Sequence, residues 1–237
     1  MTTKEPTRIP QHIGIILDGN RRWAKKRKMA TMMGHHKGKE NVVELLDWIR
    51  EFGIKEVTLY SFSAQNFNRP TDEVKYLMKI FEKAFNEYAH NPDVHKYRVG
   101  INIIGRKYLL PERVQRAMNV AIQATKDYQN YRVNFAIGYG GREEIIDAVK
   151  NIVKKCASKV LSVEKIDEAE IGRNLYMKSE PDLIIRTGGE QRLSNFLLWQ
   201  SNYSELFFVD KTWPEFTKKD LSNVLEEFAV RERRFGV

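Results

Sequence analysis

Short apolar runs punctuate the chain at Ile13–Leu17, Val57–Phe62, Val99–Ile104, Val133–Ile137, Leu183–Ile185 and Leu206–Val209. Each reads as a buried strand. Helical periodicity fills most of the intervals. Val42, Leu45, Leu46 and Ile49 share one helix face, which Gly53 ends. Val74, Leu77, Met78, Phe81, Phe85 and Tyr88 make a second, and Ile145, Ile146, Val149, Ile152 and Val153 a third. Thr217, with Asp220 three positions later, reads as the cap of a last helix carrying Leu221, Val224, Leu225 and Phe228. Buried strands alternating with helices predict an α/β fold with a mostly parallel six-stranded sheet covered by helices. With no repeat and no dividing linker, residues 1–237 are expected to form a single catalytic domain. Ligands should gather at the strands' carboxyl ends, where Asp18, Ser63 and Arg186 fall.

Two of those strand ends carry candidate chemistry. The segment from Asp182 to Ile185 runs into Arg186-Thr187-Gly188-Gly189-Glu190-Gln191-Arg192-Leu193-Ser194 and then an apolar, helix-like stretch, Phe196 to Trp199. Two guanidinium forks, a hydroxyl and glycine-freed backbone N–H groups are the parts needed to hold a diphosphate. On physics alone, surface arginines beside a glycine turn are an equal reading. Near the N-terminus, the run from His12 to Leu17 ends at Asp18-Gly19-Asn20-Arg21-Arg22-Trp23-Ala24. A strand-end carboxylate followed by Gly-Asn and a basic helix start suits a Mg²⁺-bound phosphate. The alternative for Asp18 and Asn20 is a plain turn with an Asx cap. Two diphosphate-type sites in one chain point to an enzyme that joins two diphosphate substrates.

Composition narrows the partners. Forty Lys and Arg against 31 Asp and Glu give a net charge of +9, which suits phosphates, an anionic membrane surface or nucleic acid. Nucleic acid is the weakest of these, because the arginines cluster at glycine turns, and neither zinc spacing nor a helix-turn-helix pattern is present. A lone cysteine, Cys156, fits a reducing cytosol. The polar first ten residues lack the apolar core of a leader, and no apolar run approaches the ~20 residues of a membrane span. The expectation is a cytoplasmic protein, with peripheral membrane contact at most.

The motifs together resemble the cis-prenyltransferase family, whose best-known type is undecaprenyl diphosphate synthase. Besides Asp18 to Ala24, they are Gly34-His35 with Gly38, Ser61-Phe62-Ser63 through Asn66-Phe67-Asn68-Arg69-Pro70, and Tyr139-Gly140-Gly141-Arg142. Pro181 to Gln200, Tyr203-Ser204-Glu205-Leu206 and Arg231 to Gly236 complete the order. The resemblance implies that Asp18 is catalytic and holds Mg²⁺, with Glu205 as a second metal ligand. It places Gly19, Asn20, Arg21 and Arg22 around an allylic diphosphate, with Trp23 and His35 lining that site. Arg186, Arg192 and Ser194 become the clamp for isopentenyl diphosphate, with Arg69 close by and Ser63 and Phe67 at the same strand end. Asn66 occupies the position proposed to help remove the proton. A carboxamide is a very poor base, so a diphosphate oxygen is the better acceptor, positioned by Asn66. The face from Val74 to Tyr88 becomes one wall of an apolar product tunnel. Arg234 and Gly236 match an Arg-x-Gly tail that reaches across a homodimer interface.

Bland readings stand beside these. His35 reads equally as a histidine in a glycine-rich turn, Trp23 and Phe67 as core aromatics, and Glu205 as a solvated charge. The chain departs from the family at Thr31, where arginine is usual, at Gln65, where glutamate commonly precedes Asn66, and at Gly138, where asparagine is common. The implied activity is repeated addition of isopentenyl diphosphate to farnesyl or geranylgeranyl diphosphate, giving a Z-polyprenyl diphosphate, the precursor of a glycosyl-carrier lipid. Prenyl transfer to a different acceptor and a non-catalytic partner subunit are the alternatives.

Overall fold

A computed structural model describes residues 8–232. The chain begins with β1 (His12–Ile16), α1 (Asn20–Lys26), α2 (Thr31–Glu51) and β2 (Glu56–Ser63). A 3₁₀ turn at Ala64–Asn68 leads to α3 (Thr71–His90), α4 (Pro92–Lys96), β3 (Val99–Ile104), α5 (Glu112–Thr125) and β4 (Tyr131–Tyr139). Then come α6 (Gly141–Ala157), α7 (Glu168–Asn174), β5 (Leu183–Thr187), β6 (Glu205–Val209) and α8 (Lys218–Val230). The six strands form one sheet in the order β3-β4-β2-β1-β5-β6, and every pairing is parallel. Each expected strand is present, and five are largely buried; in β6 only Phe207 is buried, because that strand lies at the sheet's edge.

Side-chain alternation divides the sheet into two faces. Ile13, Ile15, Leu59 and Phe135 pack with Leu45 of α2, Phe85 of α3, Met118 of α5 and Leu225 of α8 in the larger core. Ile16, Ile184 and Ala136 point to the other face, where Tyr139, Phe196 and Leu197 cover them. The cap at Thr217 forms, its hydroxyl accepting the Asp220 N–H while Asp220 accepts from the Thr217 N–H.

Three features differ from the sequence reading. The helix α5 buries Val114, Ala117, Met118 and Ala121; small residues on that face thin the apolar signal that periodicity detects. The face read on α6 is displaced, because Ala148 and Ile152 are buried while Ile146, Val149 and Val153 are exposed. The stretch Phe196–Trp199 is a set of turns and not a helix. Ser194, Asn195 and Leu197 adopt φ of 49°, 68° and 42°, and the fully buried Phe196 and Leu197 anchor the turns to the second face.

Local packing also decides where His35 sits. It lies inside α2, buried, between Gly34 and Gly38. A Cβ on Gly34 would lie 2.1 Å from the Asn20 carbonyl oxygen, and one on Gly38 2.5 Å from Asn20 Oδ1. The two glycines are the seat on which α1 rests against α2, so they belong to a helix contact and not to a turn.

Candidate active site

At the carboxyl end of the sheet a cavity of about 740 Å³ opens. Its mouth takes in Asp18, Gly19, Asn20, Arg21, Arg22, Lys25, Lys39, Ser61, Ser63, Asn66, Arg69, Arg186 and Ser194. Among the described residues that line it, Asp18 is the only carboxylate. Leu77, Ile80, Phe81, Ala84, Phe85 and Tyr88 of α3, with Phe135 of β4, line its depth. The α3 positions from Leu77 to Tyr88 span about 16 Å at the helical rise. Phe85, Tyr88 and Phe135 pack ring on ring within 6.1 Å, so an aromatic cluster borders the apolar end.

The parallel register assembles the mouth. Ile16 of β1 lies beside Arg186 of β5, so the residues just past Ile16 meet the guanidinium from the next strand. Asp18 Oδ2 accepts from Arg186 Nη2 at 2.9 Å, and Oδ1 accepts the Gly19 N–H at 2.6 Å and lies 3.1 Å from Arg22 Nη2. Gly19 has φ 104° and would put a Cβ 2.7 Å from Thr212, which reserves the corner for glycine. The helix α1 then starts without a side-chain cap, leaving first-turn N–H groups without intrahelical acceptors. Arg186 is only 4% exposed. Its Nη1 donates to Ser194 Oγ at 2.7 Å and to the Arg192 carbonyl, while its buried Nε has no acceptor among the described residues. An incompletely satisfied guanidinium beside a hydroxyl is suited to an incoming anion.

A second ionic centre flanks the first. Glu73, buried in the first turn of α3, accepts from His35 Nε2 at 2.9 Å and Arg69 Nη1 at 3.2 Å and lies 3.7 Å from Arg21 Nε. Burial pushes His35 below its ordinary 6.5, against the upward pull of Glu73, and burial also lowers Arg69. Ser63 and Asn66 form a reciprocal capping box on the 3₁₀ turn, with Asn66 Oδ1 accepting the Ser63 N–H at 3.1 Å. That bond fixes the carboxamide at the cavity wall.

Residues 16–236 match the prenyltransferase family model described as undecaprenyl diphosphate synthase. The chain belongs to this family. It is a cis-prenyltransferase, an enzyme that makes Z-polyprenyl diphosphates. It is 51% identical over 230 residues to a Pyrococcus abyssi protein named tritrans,polycis-undecaprenyl-diphosphate synthase (geranylgeranyl-diphosphate specific), covering 96% of this chain and 87% of that one. A Methanocaldococcus jannaschii protein of the same name is 48% identical over 232 residues, covering 96% and 83%. Among solved structures, lavandulyl diphosphate synthase from Lavandula x intermedia, in complex with dimethylallyl diphosphate, aligns with a TM-score of 0.90 at 36% identity, covering 96% of this chain and 98% of that one. A probable undecaprenyl diphosphate synthase from Campylobacter jejuni aligns at 0.81 and 30% identity, covering 98% and 100%.

Several residues expected around the prenyltransferase site stand elsewhere. Trp23 is not among the cavity-lining residues; its ring lies under the Arg27 guanidinium at 4.5 Å. Phe67 packs edge-on against Phe62 at 4.9 Å and faces a separate cavity of about 440 Å³. Arg192 is exposed and pairs with Glu190 at 2.7 Å; only its carbonyl reaches Arg186. The N–H groups of Gly188 and Gly189 are spent on the carbonyls of Lys211 and Val209 at 2.7 and 3.0 Å, so this glycine turn does not supply the free donors expected of it. Glu205 opens β6 level with Leu183, at the amino end of the sheet, and pairs with Arg231 at 2.9 Å. It cannot share a metal with Asp18 of the same chain. Arg234 and Gly236 lie outside the described residues.

Glu73 and Tyr60 are among the site residues that the sequence does not mark, as are Lys25 and Lys39 at the cavity mouth. Glu73 has no marker in the sequence, because its partners His35 and Arg21 are remote from it along the chain. Tyr60 was counted as strand, yet it lines the cavity, stacks on Phe196 at 4.7 Å and donates to the Ser194 carbonyl at 3.2 Å.

Proposed function

We propose that this cis-prenyltransferase extends geranylgeranyl diphosphate by repeated condensation with isopentenyl diphosphate, the whole chain acting as one catalytic domain. The observation that carries the reading is a single cavity whose cationic mouth straddles Asp18 and Arg186 and whose apolar depth follows α3. The allylic diphosphate rests over the start of α1, near Arg21 and Arg22, with its hydrocarbon tail along Leu77, Phe81 and Ala84. Isopentenyl diphosphate is held by Arg186 and Ser194, with Arg192 at the rim. The primer follows from the names of the Pyrococcus and Methanocaldococcus relatives.

The residues fit Mg²⁺. One cavity-facing carboxylate completed by substrate phosphate oxygens is a usual way to hold this ion, and among the described residues no cluster of acidic and imidazole groups forms a closed cage. Asp18 would hold it, and the bound ion neutralises charge on the departing diphosphate. Arg21 and Arg22 take up further charge as the C1–O bond of the allylic substrate breaks. The double bond of isopentenyl diphosphate forms the new carbon–carbon bond to C1. Its C2 proton passes to a diphosphate oxygen, leaving the new double bond, with Asn66 orienting that oxygen.

We infer a homodimer as the working unit. The edge strand β6 exposes Leu206 and Phe208, an apolar edge that a second copy would cover. In an isologous pair of β6 edges the amino end of one strand meets the carboxyl end of the other. That arrangement would bring Glu205, with the Arg231 that pairs with it, to a diphosphate site of the second copy. Among the described residues no helix is long and apolar enough to cross a membrane; delivery of so apolar a product gives the net charge of +9 a role in peripheral contact with an anionic bilayer. Primer competition tests the reading. With geranylgeranyl and farnesyl diphosphate at equal concentration, products should carry the geranylgeranyl primer in large excess; equal use would reject the primer assignment.

A further inference from the structure

Tyr139, Gly140, Gly141 and Arg142 do not line the cavity, and none of the chemistry above uses them. Their neighbours show what they hold. The first-turn N–H groups of α6 lack acceptors within the helix, and Asn195 supplies two from another loop. Gly141 N–H donates to the Asn195 carbonyl at 2.7 Å, and Arg142 N–H to Asn195 Oδ1 at 2.9 Å. The same side chain turns its Nδ2 to Glu143 Oε2 at 2.9 Å. The other oxygen of Glu143 accepts from Gln65 Nε2 at 3.3 Å. One carboxylate therefore joins the loop that bears Ser194 to the turn that bears Asn66. A Cβ on Gly140 would sit 2.0 Å from Glu143 Oε2 and 2.6 Å from Asn195 Nδ2, so only glycine leaves room for the joint.

The loop needs holding. Ser194 and Asn195 both have left-handed φ, 49° and 68°. Asparagine tolerates that region better than most residues, whereas serine keeps it only where its surroundings impose it. Tyr60 steadies the Ser194 carbonyl from the sheet side, and Asn195 ties down the other flank. None of Gln65, Glu143 and Asn195 is buried, so their mutual hydrogen bonds add little to global stability. Their effect on geometry is larger, because a misplacement of about 1 Å at a reacting centre can cost on the order of a hundredfold.

We propose that Asn195 and Glu143 are positioning residues that set Ser194 against Arg186 and couple this arm of the pocket to the Asn66 turn. The proposal rests on the assignment of that arm to isopentenyl diphosphate. It also gives Gln65 a place: at this position the chain carries an amide donor, and the carboxylate it meets is that of Glu143.

Asn195→Asp keeps the acceptor for Arg142 N–H and tolerates the left-handed backbone, but sets two carboxylates face to face. It should raise KM for isopentenyl diphosphate about tenfold, the equivalent of one net hydrogen bond, and lower kcat. KM for the allylic substrate and the melting temperature should hardly move. In the Asn195→Asp, Glu143→Gln double variant the amide and the carboxylate exchange places, and both parameters should return to within about threefold of wild type, well inside that tenfold loss. Failure of the double variant to recover, or equal loss for both substrates, would overturn the positioning role. Ser194→Ala, measured alongside, separates the two premises. If it leaves KM for isopentenyl diphosphate unchanged, the substrate assignment has failed and the proposal falls with it. If it raises that KM while Asn195→Asp does not, the joint alone has failed.

Discussion

Arg186 Nη2 stands 2.9 Å from Asp18 Oδ2, a bond between residues 168 positions apart that joins two strand ends at the mouth of the pocket. The guanidinium is nearly sealed from solvent, at 5% side-chain exposure, whereas the carboxylate keeps 31%. The pair is a lock with one open side. A diphosphate can take over donors from Arg186 while Asp18 turns to a cation, so charge leaves one partner only as it arrives at another.

Asp18→Ala should cut turnover about a thousandfold or more, near 4 kcal/mol, because hold on the metal and the leaving group is lost together. The circular dichroism spectrum should not change. A variant that keeps more than about a tenth of the wild-type rate at saturating Mg²⁺ would remove Asp18 from the metal role.

Arg186→Lys and Arg192→Ala should differ in degree and agree in direction. The buried fork at position 186 makes bonds that a single ammonium cannot reproduce, so KM for isopentenyl diphosphate should rise roughly tenfold to a hundredfold. Arg192 is exposed and already paired with Glu190, and its removal should cost about tenfold or less. Steady-state kinetics with each substrate varied in turn checks the order; a larger effect at Arg192 would reverse it.

The sheet was legible because apolar runs of strand length between helical stripes leave few other folds open. The site was legible where the needed groups share one loop, as in Asp18 to Arg22, and less so where the backbone had to be seen. Gly188 and Gly189 announce a turn in sequence, but whether their N–H groups are free depends on the loop after β6. Glu205 sits in a recognisable motif, yet only the register of β6 shows that it begins its strand far from Asp18. Glu73 became visible through His35 of α2, Arg21 of α1 and Arg69 in the bend before α3.

Thr31 opens α2 and lines the cavity, so an arginine there can reach the mouth. Thr31→Arg should tighten binding of the allylic diphosphate several-fold, the worth of one exposed charge-assisted contact, and leave isopentenyl diphosphate unaffected. Binding measured separately for the two ligands decides it. A collapse of activity would mean that the corner is shaped for something other than an extra cation.

Two buried bases set an acid limit. Burial holds His12 and His35 below the ordinary 6.5, so the unfolded chain takes up protons at these positions first as pH falls. Their contribution to stability is complete above 6.5 and is lost progressively below it, towards their folded values. The melting temperature should decline immediately below pH 6.5, and His35→Gln, which can still donate to Glu73, should flatten that slope. A slope identical in the variant would show that His35 is not neutral in the fold.

The most direct measurement is the product itself. Wild-type enzyme supplied with geranylgeranyl diphosphate, isopentenyl diphosphate and Mg²⁺ should yield prenyl diphosphates that grow by single isoprene units, read by mass, with every added double bond Z by NMR. Products with added E double bonds, or a folded enzyme that adds no unit, would contradict a cavity that holds both diphosphates across Asp18 and Arg186 and lays the growing chain along α3.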